Sequence, residues 1–173
     1  MSYRKGLLIL SLYVDDILLA RNDMEMIVTT KRWLSFIFEM KDMGEANYVL
    51  GVKIFRDRSK KLLGLFQETC IKMILERFCL HNSKPIDTPI KKGHTLILED
   101  CLKSEKEKRE VARVPYESAI GNLMYAMLCT RPDICFAVGM VSRYQSNPKP
   151  VHWQAVKRIF WYLCGTSDLI LCY

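Results

Sequence analysis

The sequence has few histidines and no closely spaced cysteine pairs of the kind that hold metal-bound mini-domains together. Only three of its 173 residues are histidine (His81, His94 and His152), and no two of its seven cysteines form a C-x-x-C pair. It therefore does not read as a structural zinc site. Seven is an odd number, and several cysteines fall at apolar helical positions, so the expectation is buried free thiols of a reducing compartment. No internal repeat is evident. No apolar run is long enough to span a bilayer, because residues 7–20 are interrupted by Asp15-Asp16. Arg4 and Lys5 ahead of residues 7–14 imitate the start of a signal peptide. The run is short and acid-broken, however, and no cleavage site follows it. The expected location is intracellular, not secreted.

Half of the residues are hydrophobic, enough for one ordinary domain with a core, and 26% are charged. The formal net charge is +7, which favours a polyanionic partner, nucleic acid before membrane. The plainer alternative is a soluble domain that happens to be basic. The excess is concentrated: residues 53–92 hold ten Lys or Arg against four acids, 10 − 4 = +6. A concentrated positive surface suits contact with a phosphate backbone.

Residues 7–14 and 17–20 are two apolar, β-prone runs separated by Asp15-Asp16, the pattern of a hairpin with a two-residue turn. Neither run alternates, so both strands are expected to be buried on both faces. Asn22-Asp23-Met24-Glu25 signals a helix start. The stripe Met24, Ile27, Val28, Leu34, Ile37 and Phe38 predicts a helix packed on the hairpin. Residues 48–55 and 62–66 read as a second hairpin with a basic turn at 57–61. Residues 69–80 read as a helix through Ile71, Ile74, Leu75 and Phe78. Pro85 and Pro89 force an extended segment.

Residues 91–113 are dominated by charge and read as a solvated linker or a surface helix. Three helical patterns follow. One starts at Pro115 or Tyr116 and carries Ile120, Leu123, Met124, Met127 and Leu128. The next runs from Pro132 through Phe136 and Met140 to Tyr144. The last carries Val156, Ile159, Phe160 and Leu163 and stops at Gly165, before a strand-like 169–173.

Asp15-Asp16 is the one constellation with an obvious chemical use. Two carboxylates at the end of an apolar hairpin are not there for burial, and a divalent cation would neutralise them. Magnesium takes oxygen ligands and bridges one or two carboxylates to substrate phosphates. Two such ions activate a primer 3′-hydroxyl and stabilise leaving pyrophosphate in nucleotidyl transfer. The alternative is that the pair merely fills an exposed turn.

Leu12-Tyr13-Val14-Asp15-Asp16-Ile17-Leu18-Leu19 resembles the polymerase box of copia-type LTR retrotransposon reverse transcriptases. The similarity continues in order through Met40-Lys41-Asp42-Met43-Gly44-Glu45, Tyr48-Val49-Leu50-Gly51 and Lys84-Pro85-Ile86-Asp87-Thr88-Pro89. It goes on through Leu123-Met124-Tyr125, Thr130-Arg131-Pro132-Asp133-Ile134, Ser142-Arg143-Tyr144 and His152-Trp153. Each motif is weak alone; their order is specific.

The resemblance implies an α+β fold: a partial reverse-transcriptase palm followed by a mainly helical thumb and connection region. It implies the C-terminal half of the palm at 1–66, the start of the thumb at 67–90, a charged linker at 91–114, and a helical connection segment at 115–173 ahead of a ribonuclease H domain. Asp15 and Asp16 would be two of three catalytic carboxylates and would hold Mg2+ in a two-metal site, incomplete here. Tyr13, Lys53, Arg56, Arg58, Lys60 and Lys61 would contact an RNA or DNA template-primer. For those basic residues, a solvated hairpin turn is the competing explanation. Arg131 and Asp133 read as a local helix-start pair, and His152 and Trp153 as packing residues.

The family's first catalytic aspartate lies upstream of the box, and no acid precedes Tyr13 here. The chain is thus expected to lack polymerase activity without other Pol segments. The alternative is a non-catalytic transposon remnant, at most a basic nucleic-acid-binding module.

Overall fold

The computed structural model describes residues 7–91 and 114–173. Arg4, Lys5, Lys92, His94, Cys101 and nearly all of the charged 91–113 stretch lie outside the described residues. The chain divides into two compact units, Met1–Ala46 and Asn47–Tyr173. Among the described residues the fold is mixed α and β, with two antiparallel sheets and five α-helices.

In the first unit β1 (Ile9–Tyr13) and β2 (Asp16–Ala20) form an antiparallel hairpin, followed by α1 (Met24–Ile37). The predicted helix start is realised. Asp23 is the N-cap, and its carboxylate accepts from the Glu25 N–H at 3.0 Å. After the helix, Asp42 accepts from the Lys31 ammonium at 2.6 Å and from the Gly44 N–H at 2.9 Å. These bonds hold its carboxyl below the ordinary carboxylate range.

The expectation that the hairpin strands are buried on both faces is not met. Every residue of β1 is exposed, and β2 is at best half-buried. Nor does α1 bury its stripe: only Leu34 is buried, while Trp33, Phe36 and Phe38 are exposed. One two-stranded hairpin and one helix offer too little surface to cover each other.

The second unit opens with a meander. β3 (Tyr48–Val49), β4 (Val52–Asp57) and β5 (Leu62–Phe66) pair antiparallel in sequence order. The sequence suggested one continuous strand over 48–55. It is broken because Leu50 and Gly51 take φ of +50° and +77° between the paired Val49 and Val52. Two consecutive left-handed residues make a turn that matches strand twist, and a glycine supplies the second without strain. The Tyr125 hydroxyl donates to the Leu50 carbonyl and ties this turn to the helical part of the unit.

At the next turn Asp57 Oδ1 accepts from the Ser59 N–H, the Ser59 hydroxyl and the Lys60 N–H. These donors hold the Asp57 carboxyl below its ordinary value. The sheet is completed from the far end of the chain. β6 (Leu171–Cys172) pairs with β5 through Leu65↔Leu171 and Gly64↔Cys172.

The core of this unit is helical. α2 (Glu68–Arg77), α3 (Tyr116–Cys129), α4 (Cys135–Ser142) and α5 (Pro150–Gly165) bury one cluster. It includes Ile71, Leu75, Ile120, Leu123, Val138, Ile159 and Phe160. The predicted stripes of α2, α3 and α5 meet in it, apart from Leu128, which is exposed.

The α4 stripe is rotated from expectation. Ala137, Val138 and Val141 face inward, together with Ile134 of the preceding 3-10 turn Pro132–Ile134, while Phe136 is exposed. A small residue at 137 permits closer helix packing than a phenylalanine would. His152 and Trp153 pack as expected: His152 stacks on Tyr144 at 3.8 Å, and Trp153 lies edge-on to Phe78.

Two devices lock the helices. Arg131 is buried and donates Nε and Nη2 to the Asp133 carboxylate at 3.0 and 2.7 Å. Its Nη1 and Nη2 also reach the Thr166 carbonyl and hydroxyl at 2.8 and 2.7 Å. The local pair expected at this helix start therefore also joins α3 to the end of α5. Burial pushes the Asp133 carboxyl up, but donation from Arg131 and from the Tyr162 hydroxyl outweighs it, and the net shift is downward.

The second device is the Lys84–Pro89 stretch, which crosses α5. Arg158 donates to Thr88 Oγ1 at 2.9 Å, and a Cβ built on Gly165 would lie 2.7 Å from Pro85 Cβ. Only glycine fits there. All six described cysteines are free thiols as expected, but none is fully buried: Cys70, Cys129 and Cys164 are half-buried and Cys79, Cys135 and Cys172 exposed.

Candidate active site

The acidic pair stands at the end of the β1–β2 hairpin, but the turn is one residue earlier than the sequence suggested. Tyr13 pairs with Asp16, so the two turn residues are Val14 and Asp15, and Asp16 is the first residue of β2. With apolar residues on both faces the side-chain pattern does not choose between registers one residue apart. Val14 carries φ +50°, a left-handed value that a β-branched residue rarely adopts. The turn next to the carboxylates therefore stores strain, on the order of 1–3 kcal/mol.

Asp15 and Asp16 are both exposed. Among the described residues neither carboxylate is paired with a cation or accepts a hydrogen bond. Two adjacent negative charges without a protein cation suit a divalent metal, which needs one or two carboxylates and completes its shell with water and phosphate oxygens. The donor set fits part of such a site. No group of three or more His, Cys, Asp or Glu that could hold a metal occurs among the described residues. Tyr13 sits across the ladder from Asp16 with its ring exposed.

The other sequence-predicted contacts lie in the second unit. Lys53 and Arg56 project from β4, opposite Phe66 and Leu63, and both are exposed. Their separation by three residues puts them on opposite faces of the strand. Arg58, Lys60 and Lys61 occupy the four-residue β4–β5 loop, where Lys60 lies 3.6 Å from the Asp57 carboxylate and Lys61 takes φ +53°. The five cations are thus two strand positions on opposite faces plus a loop.

Sequence reasoning missed Gln67. It is the N-cap of α2, almost wholly buried, and accepts from the Thr130 hydroxyl at 2.8 Å while its Nε2 has no partner. The available signal was a polar residue between a predicted strand and a predicted helix, which reads as a boundary and not as a buried group.

An exposed acidic hairpin end is thus followed along the chain by a basic antiparallel meander. A family described as reverse transcriptase (RNA-dependent DNA polymerase) matches residues 2–92. The chain is 49% identical over 166 residues to the retrovirus-related Pol polyprotein from transposon TNT 1-94 of Nicotiana tabacum, covering 96% of this chain and 12% of that protein. The Pol polyproteins from transposons RE2 and RE1 of Arabidopsis thaliana are 32% and 35% identical, each over 95% of this chain and 11% of their own length. No solved structure matches.

The chain belongs to the reverse transcriptase (RNA-dependent DNA polymerase) family, of the copia-type retrotransposon Pol kind that its motifs resemble. It spans only about an eighth to a ninth of the length of these Pol relatives. No helix among the described residues is long and apolar enough to cross a membrane.

Proposed function

We propose that this chain is the part of a retrotransposon reverse transcriptase that presents two of the carboxylates used in RNA-directed DNA synthesis, and that it does not polymerise on its own. The observation that carries this is the exposed, cation-free pair Asp15 and Asp16 at a strained hairpin end, inside the residues that match the family. Magnesium bound there would supply charge neutralisation at the attacking 3′-hydroxyl and the departing pyrophosphate. The chain's own contribution is positional. A strand-anchored turn holds carboxylates in place better than a long loop does, and a loose transition state depends on such positioning.

Among the described residues no third acidic ligand joins the two carboxylates, and on this reading another Pol segment supplies the rest. In this reading residues 1–66 belong to the palm and 67–90 begin the thumb. Residues 91–114 link it to the helical connection at 115–173. Tyr13 and the cations Lys53, Arg56, Arg58, Lys60 and Lys61 then face an RNA or DNA template-primer inside the cell.

The test is primer extension by the purified chain on an RNA template with Mg2+ and nucleotides. No extension is expected. Robust synthesis abolished by Asp15→Asn would overturn the claim of dependence on other segments.

A second reading is favoured by one observation: the basic β4–β5 hairpin belongs to a unit with its own core. On it the chain is a non-catalytic remnant that binds nucleic acid. Salt-sensitive binding to a duplex without any catalytic complementation by other Pol segments would select this reading. Absence of binding at low salt would eliminate it.

A further inference from the structure

We infer that the cleft at the start of α2 is an oxyanion subsite that takes a phosphate group, held by Lys53, Gln67, Thr69 and the first turn of the helix. The cleft is lined by Gly51, Lys53, Gln67, Glu68 and Thr69, among others. Three independent features converge on it.

The first is Gln67. Its side chain is 1% exposed and lines the cleft, its Oε1 is occupied by Thr130, and its Nε2 donates to nothing. A buried donor left unmade costs roughly 1–3 kcal/mol, so the amide gains from an acceptor brought within its reach. The second is the helix. α2 has ten residues and no side chain caps it, so its first-turn N–H groups are open at the positive end of the helix dipole. The third is Lys53, whose ammonium lies 5.2 Å from the Phe66 ring centroid at the cleft wall.

All of these groups donate. Thr69 adds a hydroxyl that can also donate. The one acid at the rim, Glu68, is engaged by Lys72 at 2.6 Å. A cluster of donors with one unpaired ammonium is matched by a compact anion with several acceptor oxygens, which is the chemistry of phosphate. The phosphate would come either from the backbone of a nucleic acid strand, in which case the inference rests on the proposed function, or from a free phosphate-bearing solute.

The test uses the full chain and two probes. Inorganic phosphate is titrated at constant ionic strength while the amide signals of Glu68, Thr69 and Cys70 and the Gln67 side-chain NH2 are followed by NMR. Saturable shifts are expected, absent with chloride. Lys53→Met should weaken phosphate about tenfold. That residue is exposed, so its replacement leaves folding intact. Gln67→Glu keeps an acceptor for Thr130 but places a negative charge in the cleft, and should abolish binding. Equal shifts with chloride, or unchanged affinity in Lys53→Met, would overturn the inference.

The second probe is a primer-template duplex. If it meets the cleft, Lys53→Met lowers the slope of log Kobs against log salt by about 0.9. Duplex binding that both variants leave unchanged, with no phosphate effect, sinks the subsite and spares the nucleic-acid reading. Phosphate binding without duplex binding does the reverse.

Discussion

The two units are built from similarly apolar sequence and end in opposite states. The unit Asn47–Tyr173 gathers sixteen buried hydrophobic residues into one cluster, whereas in the first unit Leu34 alone is buried among the described residues. Phe160 and Phe36 mark the extremes, at 0% and 89% exposure. The difference lies in the number of packing layers and not in composition. Four helices around a closed set of stripes exclude water; one hairpin and one helix do not. The Asp15–Asp16 pair therefore sits in the region with the least core of its own. That is the condition expected if other polypeptide completes it.

This contrast can be broken most directly in the core. Phe160→Ala should cost about 3–5 kcal/mol by chemical denaturation, and Phe36→Ala no more than about 0.5 kcal/mol. Comparable losses at both sites would mean that the first unit has a core which its exposure does not reveal.

The next largest effect concerns the Arg131 lock. Asp133→Ala leaves a buried guanidinium short of two acceptors and should cost roughly 2–3 kcal/mol. Because the folded Asp133 carboxyl lies below its ordinary value of 3.8, its contribution is fully present above that value. It is lost as pH falls through the lower folded value. An Asp133→Asn chain should therefore show a shallower acid limb in a pH series of denaturation midpoints. An unchanged limb would show that other carboxylates govern acid unfolding.

Much of this second unit was legible from periodicity. The α2 and α5 stripes, the helix start at Pro115 and the Arg131–Asp133 pair could be read because local spacing and caps agree with the final packing. What could not be read depends on partners distant in sequence. The pairing of β6 with β5 joins residues more than a hundred positions apart, and no local pattern specifies it. The rotation of α4 was decided by the fit of Ala137 against its neighbours, where period alone favoured Phe136.

In the site the box was legible as a hairpin with an acidic end. Its register was not, because both strand faces are apolar and a shift of one residue leaves the pattern unchanged. Gln67 was hidden for a different reason: burial of a polar side chain follows from tertiary packing, and nothing local announces it.

A smaller perturbation probes the strap across α5. Gly165→Ala pushes a methyl into Pro85 at 2.7 Å, overpacking that should cost about 2 kcal/mol. The loss should be seen as a lowered midpoint for the second unit with hydrogen exchange of β1 and β2 unaltered. Faster exchange in both would show that the strap stabilises more than its own unit.

The smallest effect lies in the first unit, where the strain sits beside the carboxylates. Val14 holds φ +50° with a β-branched side chain, whereas Gly51 meets its φ of +77° without a Cβ. Asparagine tolerates left-handed dihedrals better than valine does. Val14→Asn should therefore stabilise the hairpin by about 1 kcal/mol, read as slower amide exchange across the Leu12↔Ile17 and Leu10↔Leu19 pairs. Gly51→Ala, forced into the same region with a new Cβ, should lose a similar amount in β3 and β4. Opposite signs at these two positions would establish that Val14 stores strain and Gly51 avoids it. If Val14→Asn instead speeds exchange, the valine is held by packing that outweighs its dihedral cost, and the turn is not a reservoir of strain.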